Sequence, residues 1–186
     1  MTRITPIEQH ALDAIDLNGL LECLIELISY QSLGGNETPI QERMAAIMTS
    51  LGLEVDRWEI DLDALRKHPA YTAEIERESA LGVVGRMGGA DNERTLILNG
   101  HVDVVEAGDE ALWSVPPWEA KMTQDRVYGR GSADMKGGLC CALYALKAIR
   151  DAGINLMGEA LIHSVVSEED GGVGTLAAIE RGHTGD

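Results

Sequence analysis

Short apolar, β-branched runs alternate along this chain with segments of helical period, and most of the junctions are glycine. That alternation limits the fold more than any other feature. Leu17, Leu20, Leu21, Leu24, Ile25 and Ile28 recur at helical spacing, which predicts an amphipathic helix over Leu17–Tyr30, broken by Gly34 and Gly35. Thr38, Pro39 and Gln41 spell a helix start, with threonine as cap, proline at the first position and glutamine placed for a capping box. That helix is expected to run to Leu51 and stop at Gly52. Leu53–Ile60, Gly82–Met87, Thr95–Asn99 and Glu159–Val166 read as strands, and the charged segment Asp61–Ser79 as a helical or irregular excursion. Leu139–Ala152, closed by Gly153, and a segment opening at Thr175 and reaching Arg181 read as helices. Strands alternating with helices predict a layered α/β domain around a largely buried sheet, and 186 residues suffice for one such core.

The charge balance narrows function. Thirty-one acidic residues against 15 basic ones give a formal charge of -16, which repels nucleic-acid phosphates and anionic lipid, so neither is an expected partner. The same acids supply carboxylates for divalent cations. Cys23, Cys140 and Cys141 form no disulfide framework and no C-x-x-C pair; the last two sit in an apolar stretch and are expected to pack as small hydrophobes. With no apolar signal core after Met1 and no span of membrane length, a cytoplasmic location is expected.

Three clusters fall where predicted strands end. Gly100-His101-Val102-Asp103 places an imidazole and a carboxylate two residues apart, on one side of extended backbone. Such a carboxylate can fix the imidazole tautomer and free the other nitrogen for a metal, although the pair alone fits a strand-end histidine beside an unrelated aspartate better. The glycine-rich run 129–138 fits neither phosphate-loop pattern and holds Asp134 where an anion site would need a donor. A cation suits it, and so does a turn whose aspartate caps the following helix. Ser167-Glu168-Glu169-Asp170 sets three acids after an apolar strand, where mutual repulsion asks for a compensating cation or for full solvation. His10, His68, His163 and His183 read as structural or solvated.

In order, Leu96-Ile-Leu-Asn-Gly-His-Val-Asp-Val-Val105, Trp113 to Trp118, Tyr128-Gly-Arg-Gly-Ser-Ala-Asp-Met-Lys-Gly-Gly138 and Val165-Val-Ser-Glu-Glu-Asp-Gly-Gly172 form one pattern. It resembles the acetylornithine deacetylase and succinyl-diaminopimelate desuccinylase family of zinc-dependent deacylases and exopeptidases, with aminoacylase and glutamate carboxypeptidase among its members. The resemblance implies an α/β/α zinc-exopeptidase-like catalytic domain of which residues 1–186 are the N-terminal part. It implies two divalent ions, zinc first and cobalt as the alternative, and roles for five residues. His101, Asp134 and Glu169 would be metal ligands, with Asp134 bridging and followed by a cis peptide. Asp103 would orient His101, and Glu168 would be the general base. The substrate would be a small N-acyl amino acid or peptide, and the full-length form a homodimer. Trp118 stands where the family often has Phe and Gly82 where Asn is common.

The family's further acidic and histidine ligands and its smaller dimerisation domain would lie beyond Asp186, so the chain alone is expected to bind metal weakly and turn over little. Asp61–Tyr71 is most like the deacetylase-like subgroup. Two other classes remain open. One is a non-catalytic metal- or partner-binding domain, which would have no need of Glu168. The other is a glycosidase using a carboxylate pair, which would leave His101 and the Asp134 loop without a purpose.

Overall fold

The computed structural model describes residues 4–89 and 94–186. Four strands form its main sheet, β1 (Glu54–Glu59), β2 (Leu81–Gly88), β3 (Thr95–His101) and β6 (Glu159–Val165), in the order β1-β2-β6-β3. β1 and β6 run antiparallel to β2, whereas β3 and β6 are parallel, with His101 opposite Val165. That one parallel pair matters most for the site. It brings the residues following β3 and the residues following β6 to the same end of the sheet, where open α/β sheets carry their ligands. A separate two-stranded hairpin, β4 (Lys121–Met122) with β5 (Val127–Tyr128), lies outside the expected strands.

α3 (Thr38–Ser50) and α5 (Gly137–Asp151) cover one face of the sheet, α2 (Leu17–Ile28) packs against α5, and α6 (Val173–Glu180) covers the other face. Leu27, Ile28, Met44, Met48, Leu143 and Ile162 are all fully or almost fully buried in the larger core. A smaller cluster of Val84, Leu161 and Ala178 lies beneath α6. The layered α/β reading therefore holds, with alternate side chains of β2 and β6 serving opposite faces. Gly82 has a local reason. It sits opposite Trp58 in the β1–β2 register, and a Cβ there would lie 2.3 Å from the indole. β1 thus lays its tryptophan across a position that must stay bare.

One helix went unread in the sequence, and one helix start needs correction. Thr5, Pro6 and Glu8 form a true capping box that starts α1 (Pro6–Asp13), a helix the apolar periodicity did not reveal because it buries no residue. The Thr38 signal fails as a cap. α3 begins after Glu37 with no side-chain cap, and Gln41 is wholly buried instead of folding back. Its amide donates to the Leu81 carbonyl at 3.0 Å and the Ser164 carbonyl at 2.8 Å, and its oxygen accepts from Ser164 Oγ at 2.5 Å. A buried amide with good partners outweighs a cap worth about 1 kcal/mol. The excursion between β1 and β2 holds only α4 (Leu62–Leu65), capped by Asp61.

His163 lies in β6 at 2% exposure, its Nε2 without a hydrogen-bond partner among the described residues. Burial, reinforced by neighbouring His183, pushes its pKa down to about 4. Between that value and the ordinary value near 6.5, the unfolded chain binds a proton that the folded chain refuses. Stability is therefore lost as pH falls through this window and is regained above it. Denaturant melts from pH 7 to pH 4 are expected to show a shallower acid slope for His163→Leu than for the parent. Equal slopes would assign the acid sensitivity elsewhere.

Candidate metal centre

Three chain segments converge at the carboxyl end of β3 and β6. β3 delivers His101 and, just beyond it, Asp103, both buried at 3% and 1% exposure. The glycine-rich loop before α5 delivers Asp134, whose peptide to Met135 is cis, as the resemblance implies. The turn after β6 delivers Glu168 and Glu169. His101, Asp134 and Glu169 can each offer one ligand atom, and these atoms lie within 4.8 Å of one another.

The histidine fixes how this cluster reads. His101 Nδ1 lies 2.9 Å from the main-chain oxygen of Asp103. A carbonyl can only accept, so Nδ1 carries the proton and Nε2 presents its lone pair. That lone pair faces Asp134 Oδ1 at 3.0 Å and Glu168 Oε2 at 3.8 Å. Lone pairs pointed at carboxylates are repulsive unless a proton or a cation lies between them. The donor set of one imidazole nitrogen and two carboxylates is one that zinc accepts, and three protein ligands is the usual number at a catalytic site. The residues fit a divalent cation. Among the described residues no lysine or arginine pairs with Asp103, Asp134, Glu168 or Glu169. Burial raises the Glu169 carboxyl above its ordinary range, against the pull of His101 and with Asp134, Glu168 and Asp103 adding to the rise.

Asp103 is arranged differently from a simple imidazole partner. Its carboxylate Oδ1 lies 3.7 Å from His101 Nδ1, so the closer contact to the ring is its own carbonyl. Oδ2 accepts the Glu169 N–H at 3.0 Å, while Oδ1 is buried without a hydrogen-bond partner among the described residues. The side chain thus ties the end of β3 to the Glu168–Glu169 turn.

Two buried cations that sequence patterns did not single out hold this frame. Lys136, fully buried, donates to the carbonyls of Leu27 at 3.0 Å and Tyr30 at 2.8 Å, pinning the Asp134 loop to the end of α2. Two residues on, Ser32 Oγ donates to the Val102 carbonyl at 2.6 Å and the Val104 N–H donates to the Ser32 carbonyl at 3.0 Å. The segment from Leu27 to Ser32 therefore grips the Asp134 loop on one side and the His101 strand end on the other. Arg77, from the excursion before β2, pairs with Glu37 at 2.8 Å and with Asp170 at 2.5 Å, all three nearly buried.

The acidic run is therefore not compensated as expected. Asp170 answers to Arg77 and accepts from Ser167 Oγ, and it takes no part in the cluster around His101. The run also turns. Ser167 has φ 67°, a left-handed turn in which Glu168 and Glu169 both lean toward His101 instead of pointing apart. Lys136 stands inside the glycine-rich motif, whose pattern carries no sign of its burial. Arg77, in a polar stretch, carries no pattern at all. Removing Arg77 leaves two buried carboxylates unpaired, so Arg77→Met is expected to lower unfolding free energy by about 3–5 kcal/mol in urea melts at neutral pH. A change under 1 kcal/mol would show that the turn is held by other means.

The chain is similar to known proteins in sequence and in fold. The model of the peptidase family M20/M25/M40 matches residues 97–186. The chain is 35% identical over 172 residues to N-formyl-4-amino-5-aminomethyl-2-methylpyrimidine deformylase of Bacillus subtilis (strain 168), across 90% of this chain and 37% of that protein. It is 26% identical over 169 residues to a probable succinyl-diaminopimelate desuccinylase of Staphylococcus aureus (strain MRSA252), across 89% of this chain and 36% of that protein. In fold it is similar to human carnosine dipeptidase 1, with a TM-score of 0.73 at 19% identity, covering 97% of this chain and 38% of that one. The chain thus spans a little over a third of the length of these curated relatives. Sequence match and fold point the same way: the chain carries a domain of peptidase family M20/M25/M40.

Proposed function

We propose that this chain contributes the metal-binding core of a hydrolase that cleaves the amide bond of small N-acyl compounds, acetylornithine deacetylase-like in class. The observation that carries the proposal is His101 Nε2 facing Asp134 Oδ1 at 3.0 Å and Glu168 Oε2 at 3.8 Å, with Glu169 within ligand reach. His101 and Asp134 would hold one ion, and Asp134 and Glu169 the other. Asp134, exposed on its loop, is the residue that two ions would share. Bound there, zinc or cobalt supplies Lewis acidity to the scissile carbonyl and a water of lowered pKa.

The chain's own residues supply the rest. Asp103 positions the site from behind, accepting the Glu169 N–H while its carbonyl fixes the His101 tautomer. Glu168 is half exposed at 54% side-chain accessibility and is free of any arginine or lysine partner among the described residues. Its carboxylate takes the proton from the attacking water and returns it to the departing amine nitrogen. Glu169, beside it in the same turn, stays a ligand, because its backbone is held by Asp103 and its side chain faces His101 and Asp134.

The substrate class rests on kinship. The Bacillus subtilis relative, matched over most of this chain, is named as a deformylase, and the Staphylococcus aureus one as a probable desuccinylase. Both names describe removal of an acyl group. A non-catalytic metal-binding domain is the second reading, and Glu168 weighs against it, since a pure binding site needs no free carboxylate beside its ligands. In the natural protein, Glu168→Gln is expected to reduce hydrolysis of N-formyl and N-acetyl substrates by at least about a hundredfold while zinc content is unchanged. Undiminished turnover would remove Glu168 from the role of base. Absence of turnover in the metal-loaded parent on every N-acyl substrate would favour the binding domain.

A further inference from the structure

Cys23 on α2 and Cys140 on α5 meet where the two helices pack, with the Cys140 thiol donating to Cys23 Sγ at 3.6 Å. Neither takes part in the chemistry proposed above. Both are buried but not alike. Cys140 has no exposed surface, whereas Cys23 keeps 6% and lines a pocket of about 190 Å³ with Glu26, Arg43 and Tyr144. A small molecule entering that pocket meets Cys23 first and finds Cys140 behind it. The third thiol, Cys141, is exposed, contrary to the expectation that it packs as a hydrophobe beside Cys140. The hydrogen bond from Cys140 holds the Cys23 thiol below its ordinary range against the effect of burial. The same bond, together with burial, pushes the Cys140 thiol up. The pair is therefore polarised, with the more acidic sulfur on the solvent side.

We propose that Cys23 and Cys140 are a redox modification site, in which a peroxide drives formation of a disulfide that locks α2 to α5. Cys23 Sγ attacks the peroxide O–O bond. An S–O bond forms, the O–O bond breaks, and the departing hydroxide takes the thiol proton to leave as water. Cys23 is then a sulfenic acid and the peroxide has been reduced. Cys140 Sγ attacks the sulfenic sulfur, the S–S bond forms, the S–O bond breaks, and the hydroxyl leaves as water with the Cys140 proton. The bond would close a long loop, from 23 to 140, across the same helix junction at which Lys136 already grips the end of α2. Cross-linking distant residues stabilises chiefly by restricting the unfolded chain, so the oxidised form should melt higher than the reduced one.

The test treats the folded 186-residue chain with dilute hydrogen peroxide, quenches it, and alkylates it in denaturant before peptide mapping. The expected product carries a linked Cys23–Cys140 peptide pair, an alkylated Cys141, an intact mass lower by two hydrogens before alkylation, and a raised melting temperature that dithiothreitol reverses. In Cys140→Ser, Cys23 should persist as a sulfenic acid that dimedone labels. Three alkylatable thiols after treatment would overturn the proposal. So would oxidation confined to Cys141, or passage of Cys23 to sulfinic acid in the parent chain with no linked pair. The parent chain alone decides the outcome, whether or not the variant folds.

Discussion

Carboxylates crowd around one histidine at the end of the β3–β6 pair, and no lysine or arginine among the described residues reaches them. Like charges held together repel, and a bound cation would relieve that repulsion. The rest of the fold is organised to keep those groups in place. The parallel register puts both strand ends side by side. The cations that could have neutralised the cluster are spent elsewhere, Lys136 on backbone carbonyls and Arg77 on Glu37 and Asp170.

That division of labour explains why the acids around the site behave so differently. Asp170 and Glu37 are structural because a buried guanidinium reaches them, and Asp103 is structural because a backbone N–H does. Asp134, Glu168 and Glu169 have no such partner among the described residues and remain available to a ligand. The Leu27–Ser32 segment connects the two halves, since it holds the Lys136 loop and the residues flanking Asp103 at once. A shift at the end of α2 would therefore be felt by His101 and Asp134 together, although α2 contributes no ligand.

Much of this was legible in the sequence, for physical reasons that also mark where legibility stops. The strands were visible because apolar runs bounded by turn residues leave a local imprint, and the candidate site residues because His101, Asp134 and Glu168–Glu169 each follow such a run or a glycine turn, in an order that resembles one family. What sequence could not show was which of two similar signals wins. Thr5-Pro6-Ile7-Glu8 and Thr38-Pro39-Ile40-Gln41 look alike, yet only the first caps a helix. At the second, Gln41 found buried carbonyls on β2 and β6, strands that lie 40 and 123 residues further along the chain. Arg77 was hidden for the same reason, because its partners are 40 and 93 residues away. Local patterns report local competition. Long-range polar contacts inside the core decide the remainder.

The measurement that bears most directly on the metal centre is zinc binding by the folded chain, followed by competition with a chromophoric chelator and confirmed by elemental analysis, for the parent and for His101→Ala. The account predicts weak zinc uptake by the parent and weaker uptake still by His101→Ala, with the far-ultraviolet circular dichroism unchanged between the two. A folded parent that takes up no zinc or cobalt, or a His101→Ala variant that binds as well as the parent, would contradict it.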